Sequence, residues 1–197
     1  MTRQRPGHWR AGWWSLARRI DSPNQGPRPP GSEVTLALIH SISLPPGVYG
    51  GDAIERLFTN TLDWQAHPSF HEIRGLEVSA HFLVRRDGEL LQFVATTERA
   101  WHAGRSVWQG RPECNDYSVG IELEGLEGDN FEEPQYAQLV GLLYALALQH
   151  PLVAVAGHEH VAPGRKADPG AGFDWNRLRA MTGWPDRYFP VVPDTAV

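Results

Sequence analysis

The chain predicts an α/β fold: a single domain with a mixed central β-sheet flanked by helices. Short β-branched and aliphatic runs interleave with helical stretches, a hairpin signal sits mid-chain, and the first strong strand run is apolar on both faces. Strands joined through helices favour parallel pairing and a hairpin requires antiparallel pairing, so the sheet must be mixed. The 197 residues suit one folding unit, long enough to bury about 70% of the surface its unfolded form exposes. Apolar residues make up 41% of the chain, and the 20 Gly and 16 Pro stay below the level of a disordered sequence.

Taken in order, Trp9, Trp13, Trp14 and Leu16 are too apolar for a free tail and are expected to pack on the body. Asp21–Ser32 (DSPNQGPRPPGS) follows as an irregular arm, dense in Pro, Gly and polar residues. Val34–His40 (VTLALIH) reads as a buried strand covered from two sides. Leu44–Gly51 must be a loop, and Asp52 is a suitable N-cap for a short helix through Phe58. Val78–Arg85 and Glu89–Val94 flank Asp87-Gly88, the clearest hairpin signal, because Asp-Gly tolerates the positive φ that tight reversals require. Ser118–Leu123 is a further strand. Pro134–Gln149 is the longest helix, with Leu139, Leu142, Leu143 and Leu146 at helical spacing and Pro151 just past its end. Leu152–Ala156 is a second buried strand, then come a loop over Gly157–Gly172 and a helix over Trp175–Met181. The expected organisation is an arm over 1–32 packed on the body, a main domain over 33–185 and a C-terminal tail over 186–197.

Composition excludes several functions. With 18 basic and 23 acidic residues the net charge is -5, so the attraction that drives phosphate-backbone binding is missing and nucleic acid is not expected as a partner. The lone Cys114 cannot form an internal disulfide or a cysteine-rich zinc knuckle. No run approaches the roughly 18 apolar residues of a membrane span. The apolar patch Ala11–Ala17 is interrupted by Ser15 and runs into Arg18 and Arg19, a poor signal-peptide core, so a cytoplasmic protein without membrane attachment is expected.

Three metal-binding residue types stand where strands end. His40 closes the first buried strand, His158 follows the strand ending at Ala156, and Asp168 lies ten residues further along the same loop. If these strands abut, two imidazole nitrogens and one carboxylate leave a fourth tetrahedral position for water, as in a catalytic zinc site. The same set can hold ferrous iron. His160 competes with His158, sharing its face if the strand continues. His81, mid-strand in VSAHFLV, is expected to hydrogen-bond inside the core, and His8, His67, His71 and His150 to lie at the surface.

The strings LIHSISLPPGVYGG, VSAHFLVRRDGELLQFV, RAWHAGRS, CNDYSVGIELEG and GHEHVAPGRKADPGAGFDW, in that order, closely resemble the 1,6-anhydro-N-acetylmuramyl-L-alanine amidase (AmpD) family of peptidoglycan recycling enzymes. The resemblance spans roughly Trp14 to Trp184. It implies a zinc amidase whose architecture is shared with peptidoglycan recognition proteins and phage amidases. It places the zinc ligands at His40, His158 and Asp168, the last pointing to the cytoplasmic branch, where secreted and phage relatives carry cysteine. Catalytic roles fall on Glu122 in VGIELEG, as the group that takes a proton from water and delivers it to the leaving amine, and on Lys166 in GRKADPG, as the positive charge beside the developing oxyanion. The bond cut is then the amide joining 1,6-anhydro-N-acetylmuramic acid to the L-alanine of the stem peptide, with a monomeric enzyme and an anhydromuropeptide as its partner. Trp101, His102 and Asn115 lie in family motifs around the site and are expected to contact the substrate, though Trp101 equally suits the core.

Three positions depart from the family pattern. Ser41 follows the first ligand where asparagine is common, and Glu77 and Glu113 stand where basic residues are frequent, so either the stem-peptide preference differs from the family's or those two positions do not face the peptide. Two other functions remain open at this level. One is a non-catalytic muropeptide-binding or sensing module, against which the complete ligand set with Glu122 and Lys166 argues. The other is an amidase of intact, exported peptidoglycan, against which Asp168 and the poor signal-peptide core argue.

Overall fold

A computed structural model describes residues 7–190, and its frame is a six-stranded sheet. In chain order the strands are β1 (Arg18–Arg19), β2 (Leu36–Ile42), β3 (Phe82–Val84), β4 (Leu90–Gln92), β5 (Ser118–Glu124) and β6 (Ala154–Gly157). The helices are α1 (Ala53–Phe58), α2 (Glu133–Gln149), α3 (His158–Val161) and α4 (Trp175–Thr182). Across the sheet the order is β6, β2, β5, β3, β4, β1. β3 and β4 form the antiparallel hairpin with Gly88 at φ 88°, and every other pairing within this sheet is parallel. The expected mixed sheet is therefore observed.

Side-chain alternation along β2 and β5 builds the core and leaves room for chemistry. Ala37, Ile39, Val119, Ile121 and Leu123 face α2, whose Leu139, Leu142, Leu143 and Leu146 supply the other side of the largest apolar cluster. The opposite face carries two smaller clusters. Leu36 and Leu38 pack with Ala154, Ala156 and Tyr117, while Leu83, Leu91 and Phe93 pack with Ile54, Leu57 and Phe58 of α1. His40 and Glu122, paired in register on β2 and β5, share that opposite face.

Trp9 and Trp14 of the arm lie against the large cluster, and the Trp9 indole N–H donates to the Ala145 carbonyl of α2 at 3.1 Å. The irregular stretch is more ordered than its composition implies: Gln25–Pro27 pairs antiparallel with Glu98–Ala100, a partner more than 70 residues away and invisible to local patterning. Within the stretch read as a tail, Phe189 is buried in the large cluster. Residues 1–6 of the arm and 191–197 of the tail lie outside the described residues. No helix among the described residues is long and apolar enough to cross a membrane.

Arg28 ties the arm to the body. Its guanidinium donates to the carbonyls of Thr96, Asn115, Asp116 and Ser118 at 2.8–3.2 Å. Burial lowers its pKa to about 10, which leaves it charged at neutral pH. Arg28→Ala is expected to orphan several of these acceptors and cost about 3 kcal/mol, or about 6–12 °C in Tm for a chain of this size. Arg28→Lys should recover only part of this, since a point charge cannot span the fork. Thermal unfolding of both variants checks it; an unchanged Tm for Arg28→Ala would refute the clamp.

Candidate active site

His40 sits near the C-terminal end of β2, and Glu122 is its register partner on β5. On the other side, β6 ends at Gly157 and the chain turns directly into α3, so His158 is the first helical residue. That turn separates His158 from His160. The His160 ring packs edge-on against Trp175, and its Nδ1 accepts the Gly157 N–H at 3.0 Å, so it turns away from the site. Gly157 also permits a close approach: a Cβ there would lie 2.8 Å from Pro169 Cδ. The loop carrying Asp168 can therefore close over the start of α3, where Glu159 N–H donates to the Asp168 carbonyl at 2.9 Å.

The result is a triangle of ligand-type atoms. His40 Nδ1 lies 3.0 Å from His158 Nδ1 and 3.0 Å from Asp168 Oδ2, and His158 Nδ1 lies 3.1 Å from the same oxygen. These residues form a group able to hold a metal ion. The protonation pattern fits that use. His158 Nε2 is 3.0 Å from the Ala103 carbonyl, which can only accept, so Nε2 donates there and Nδ1 is the ring atom turned toward the triangle. Burial lowers the His40 pKa to about 4, so its ring is neutral at physiological pH. Burial alone would raise the Asp168 pKa, but the adjoining His158 and His40 imidazoles outweigh it and hold the carboxylate below its usual range. Two lone pairs and an anionic oxygen thus converge, an arrangement that a divalent cation stabilises. A tetrahedral zinc bound at about 2.0–2.1 Å needs ligand atoms about 3.3 Å apart, within a few tenths of an ångström of what is present.

Beside the triangle, Glu122 is 8% exposed and its Oε2 is buried without a hydrogen-bond partner among the described residues. Burial first, then the charge of Asp168, push its pKa well above 4.5, while Lys166 opposes the shift. Lys166 is exposed and lines the same cavity of about 260 Å³. The cavity lining joins two chemistries: His40, His158, Asp168, Glu122 and Lys166 are polar, and Leu44, Leu57, Phe58, Ile73, Leu76 and Val78 are apolar. Ser41 also lines it, and its Oγ is another buried atom without a partner among the described residues. Glu77 is exposed between two lining residues, and Glu113 is exposed with its carboxylate 3.6 Å from Arg99.

All three expected ligands and both expected catalytic residues meet at this one cavity. The expected substrate contacts fare differently. Asn115 is buried and is not part of the cavity lining, and its Oδ1 accepts the backbone N–H groups of His102 and Ala103. Trp101 is half-buried and also outside the lining. His102 does line the cavity, but its ring nitrogens bond inward, Nδ1 to His40 Nε2 at 2.9 Å and Nε2 to Ser118 Oγ at 3.3 Å. His81 is a core histidine as expected, with Nδ1 accepting Gly120 N–H. His150 is not a plain surface residue: it is half-buried against Trp9 and bonded to Thr96, and burial lowers its pKa to about 4. Ala103, Ser118 and Gly120 are neighbours of the site that sequence reasoning does not single out. Of these only Gly120 carries a signal, since a glycine inside a strand marks a close approach.

A family model for N-acetylmuramoyl-L-alanine amidases matches residues 30–171. The 1,6-anhydro-N-acetylmuramyl-L-alanine amidase AmpD of Escherichia coli K12 is 51% identical over 172 residues, covering 86% of this chain and 94% of that one. The crystal structure of a selenomethionine AmpD derivative matches with a TM-score of 0.84 at 48% identity, covering 87% of this chain and 97% of that one. A complex of the Escherichia coli amidase AmiD with the substrate anhydro-N-acetylmuramic acid-L-Ala-D-gamma-Glu-L-Lys matches with a TM-score of 0.55 at 26% identity, covering 90% of this chain and 65% of that one.

Proposed function

Because this chain belongs to the N-acetylmuramoyl-L-alanine amidase family and is an amidase, we propose that it uses zinc to hydrolyse the amide between 1,6-anhydro-N-acetylmuramic acid and the L-alanine of the stem peptide. The observation that carries the proposal is the triangle of His40 Nδ1, His158 Nδ1 and Asp168 Oδ2 with the unpartnered Glu122 Oε2 beside it. A binding module gains nothing from a buried, unpaired carboxyl next to a metal site, because such a group costs stability. The same feature is what water activation requires.

His40, His158 and Asp168 would hold the ion. Zinc bound there supplies a Lewis acid and a water of lowered pKa. Glu122 Oε2 receives the proton of the attacking water and returns it to the departing alanine nitrogen. Its raised pKa favours the second half of this task, since a carboxyl that holds its proton near neutral pH is a better acid. Lys166, lining the same cavity, offers its ammonium charge to the oxygen on which negative charge grows, a contribution of about 3–4 kcal/mol by analogy with a single oxyanion donor. The apolar lining from Leu44 to Val78 packs against the ligand's uncharged surface and excludes water from the polar half.

We further assign the enzyme to the cytoplasm, to peptidoglycan recycling, and to action as a monomer on soluble anhydromuropeptide. The decisive experiment incubates a defined anhydromuropeptide with the protein, with the chelator-treated protein and with the zinc-restored protein, and identifies products by mass spectrometry. Free 1,6-anhydro-N-acetylmuramic acid and intact stem peptide are expected from the first and third samples only. Full turnover by the metal-free protein, or cleavage at another bond, would refute the proposal. Intact sacculi in parallel should remain undigested.

A further inference from the structure

Each of the two histidines of the triangle has an outer nitrogen, and both outer nitrogens are met by one short segment. His158 Nε2 faces the Ala103 carbonyl at 3.0 Å, and His40 Nε2 faces His102 Nδ1 at 2.9 Å. Asn115 Oδ1 holds this pair of residues by accepting both backbone N–H groups, at 3.2 and 2.8 Å. The His102 ring is further confined by the strand it lies on. It covers Gly120 so closely that a Cβ there would stand 2.5–2.7 Å from Cγ, Nδ1 and Cδ2, and its Nε2 reaches Ser118 Oγ at 3.3 Å.

We infer that His102 is a positioning residue of the metal centre rather than a substrate contact: it accepts the His40 Nε2 proton at Nδ1, holds its own proton on Nε2 toward Ser118, and so keeps the His40 Nδ1 lone pair aimed at the triangle. Outer partners of this kind set the tautomer and ring orientation of a ligating imidazole, and losing one typically costs 10- to 100-fold in metal affinity. The glycine at 120 belongs to the same device, since any side chain there would evict the ring. The inference rests on the zinc reading of the site.

The test measures zinc affinity by competition with a chromophoric chelator, together with the visible spectrum of the cobalt-substituted protein. For His102→Ala, zinc affinity is expected to fall about 10- to 100-fold and the cobalt spectrum to change, with KM for anhydromuropeptide at saturating zinc unchanged. His102→Asn, which keeps an acceptor near the Nδ1 position, should recover most of the affinity. Wild-type zinc affinity in His102→Ala, with a raised KM, would overturn the inference and make His102 a substrate contact. Failure of the wild-type protein itself to bind zinc would instead overturn the underlying zinc reading. If the alanine variant does not fold, nitrogen-15 NMR of the zinc-loaded wild type decides: His102 must carry its proton on Nε2, and the opposite tautomer refutes the role.

Discussion

Glu122→Gln is expected to lower kcat by about 10²- to 10⁴-fold, the usual scale of a lost general acid–base group, while zinc content stays at one ion per chain. Glutamine keeps the shape of the side chain but can neither take nor return a proton. The same substitution should stabilise the metal-free protein, because the buried carboxylate has its pKa raised well above 4.5 by desolvation and by Asp168. The sign follows from linkage. Below the unfolded pKa, Glu122 is protonated in both states, so wild type and variant should unfold at similar temperatures. Between the unfolded pKa and the raised folded one, the unfolded chain releases this proton while the folded chain keeps it, so wild-type stability falls with pH until the folded group also ionises. Glutamine carries no such penalty. The variant's advantage in Tm should therefore be near zero at pH 4 and largest above neutrality. Unfolding curves across that range measure it. A variant equal to wild type in turnover removes Glu122 from the chemistry, and one less stable at pH 8 removes the account of its burial.

Asp168→Ala removes the only anionic atom of the triangle and is expected to abolish stoichiometric zinc binding and reduce hydrolysis to background. A stability consequence accompanies it. An ion that binds only the folded chain adds about 4 kcal/mol when present at 1,000 times its dissociation constant. For a chain of this size that is about 8–16 °C in Tm. Wild type should show this gain on adding zinc and Asp168→Ala should not, and chelator should bring the two within a few degrees. Calorimetry with and without zinc checks both statements; a zinc-induced shift retained by Asp168→Ala would mean that the ion sits elsewhere.

Long or strongly patterned segments are legible in the sequence because their signals are local: the Asp87-Gly88 turn tolerates positive φ, and the leucines of Pro134–Gln149 repeat at helical spacing. The short arm strand Gln25–Pro27 is not legible, since its stability comes from pairing with Glu98–Ala100. His160 cannot be separated from His158 on spacing alone. What separates them is that β6 stops at Gly157 and the chain turns into α3.

Residue type and motif order are legible in the chain itself: His40, His158 and Asp168 are ligand types at strand ends, and Glu122 and Lys166 supply a carboxyl and a cation, all set in motifs that resemble one family. How these side chains are supported emerges only once the chain is folded. His102 and Asn115, which read as substrate contacts, spend their hydrogen bonds on His40 and on the backbone of residues 102–103. A side chain's chemical type is written in its own position. What its outer atoms meet depends on strands brought together from distant parts of the chain, as β2 and β5 are here across about 80 residues.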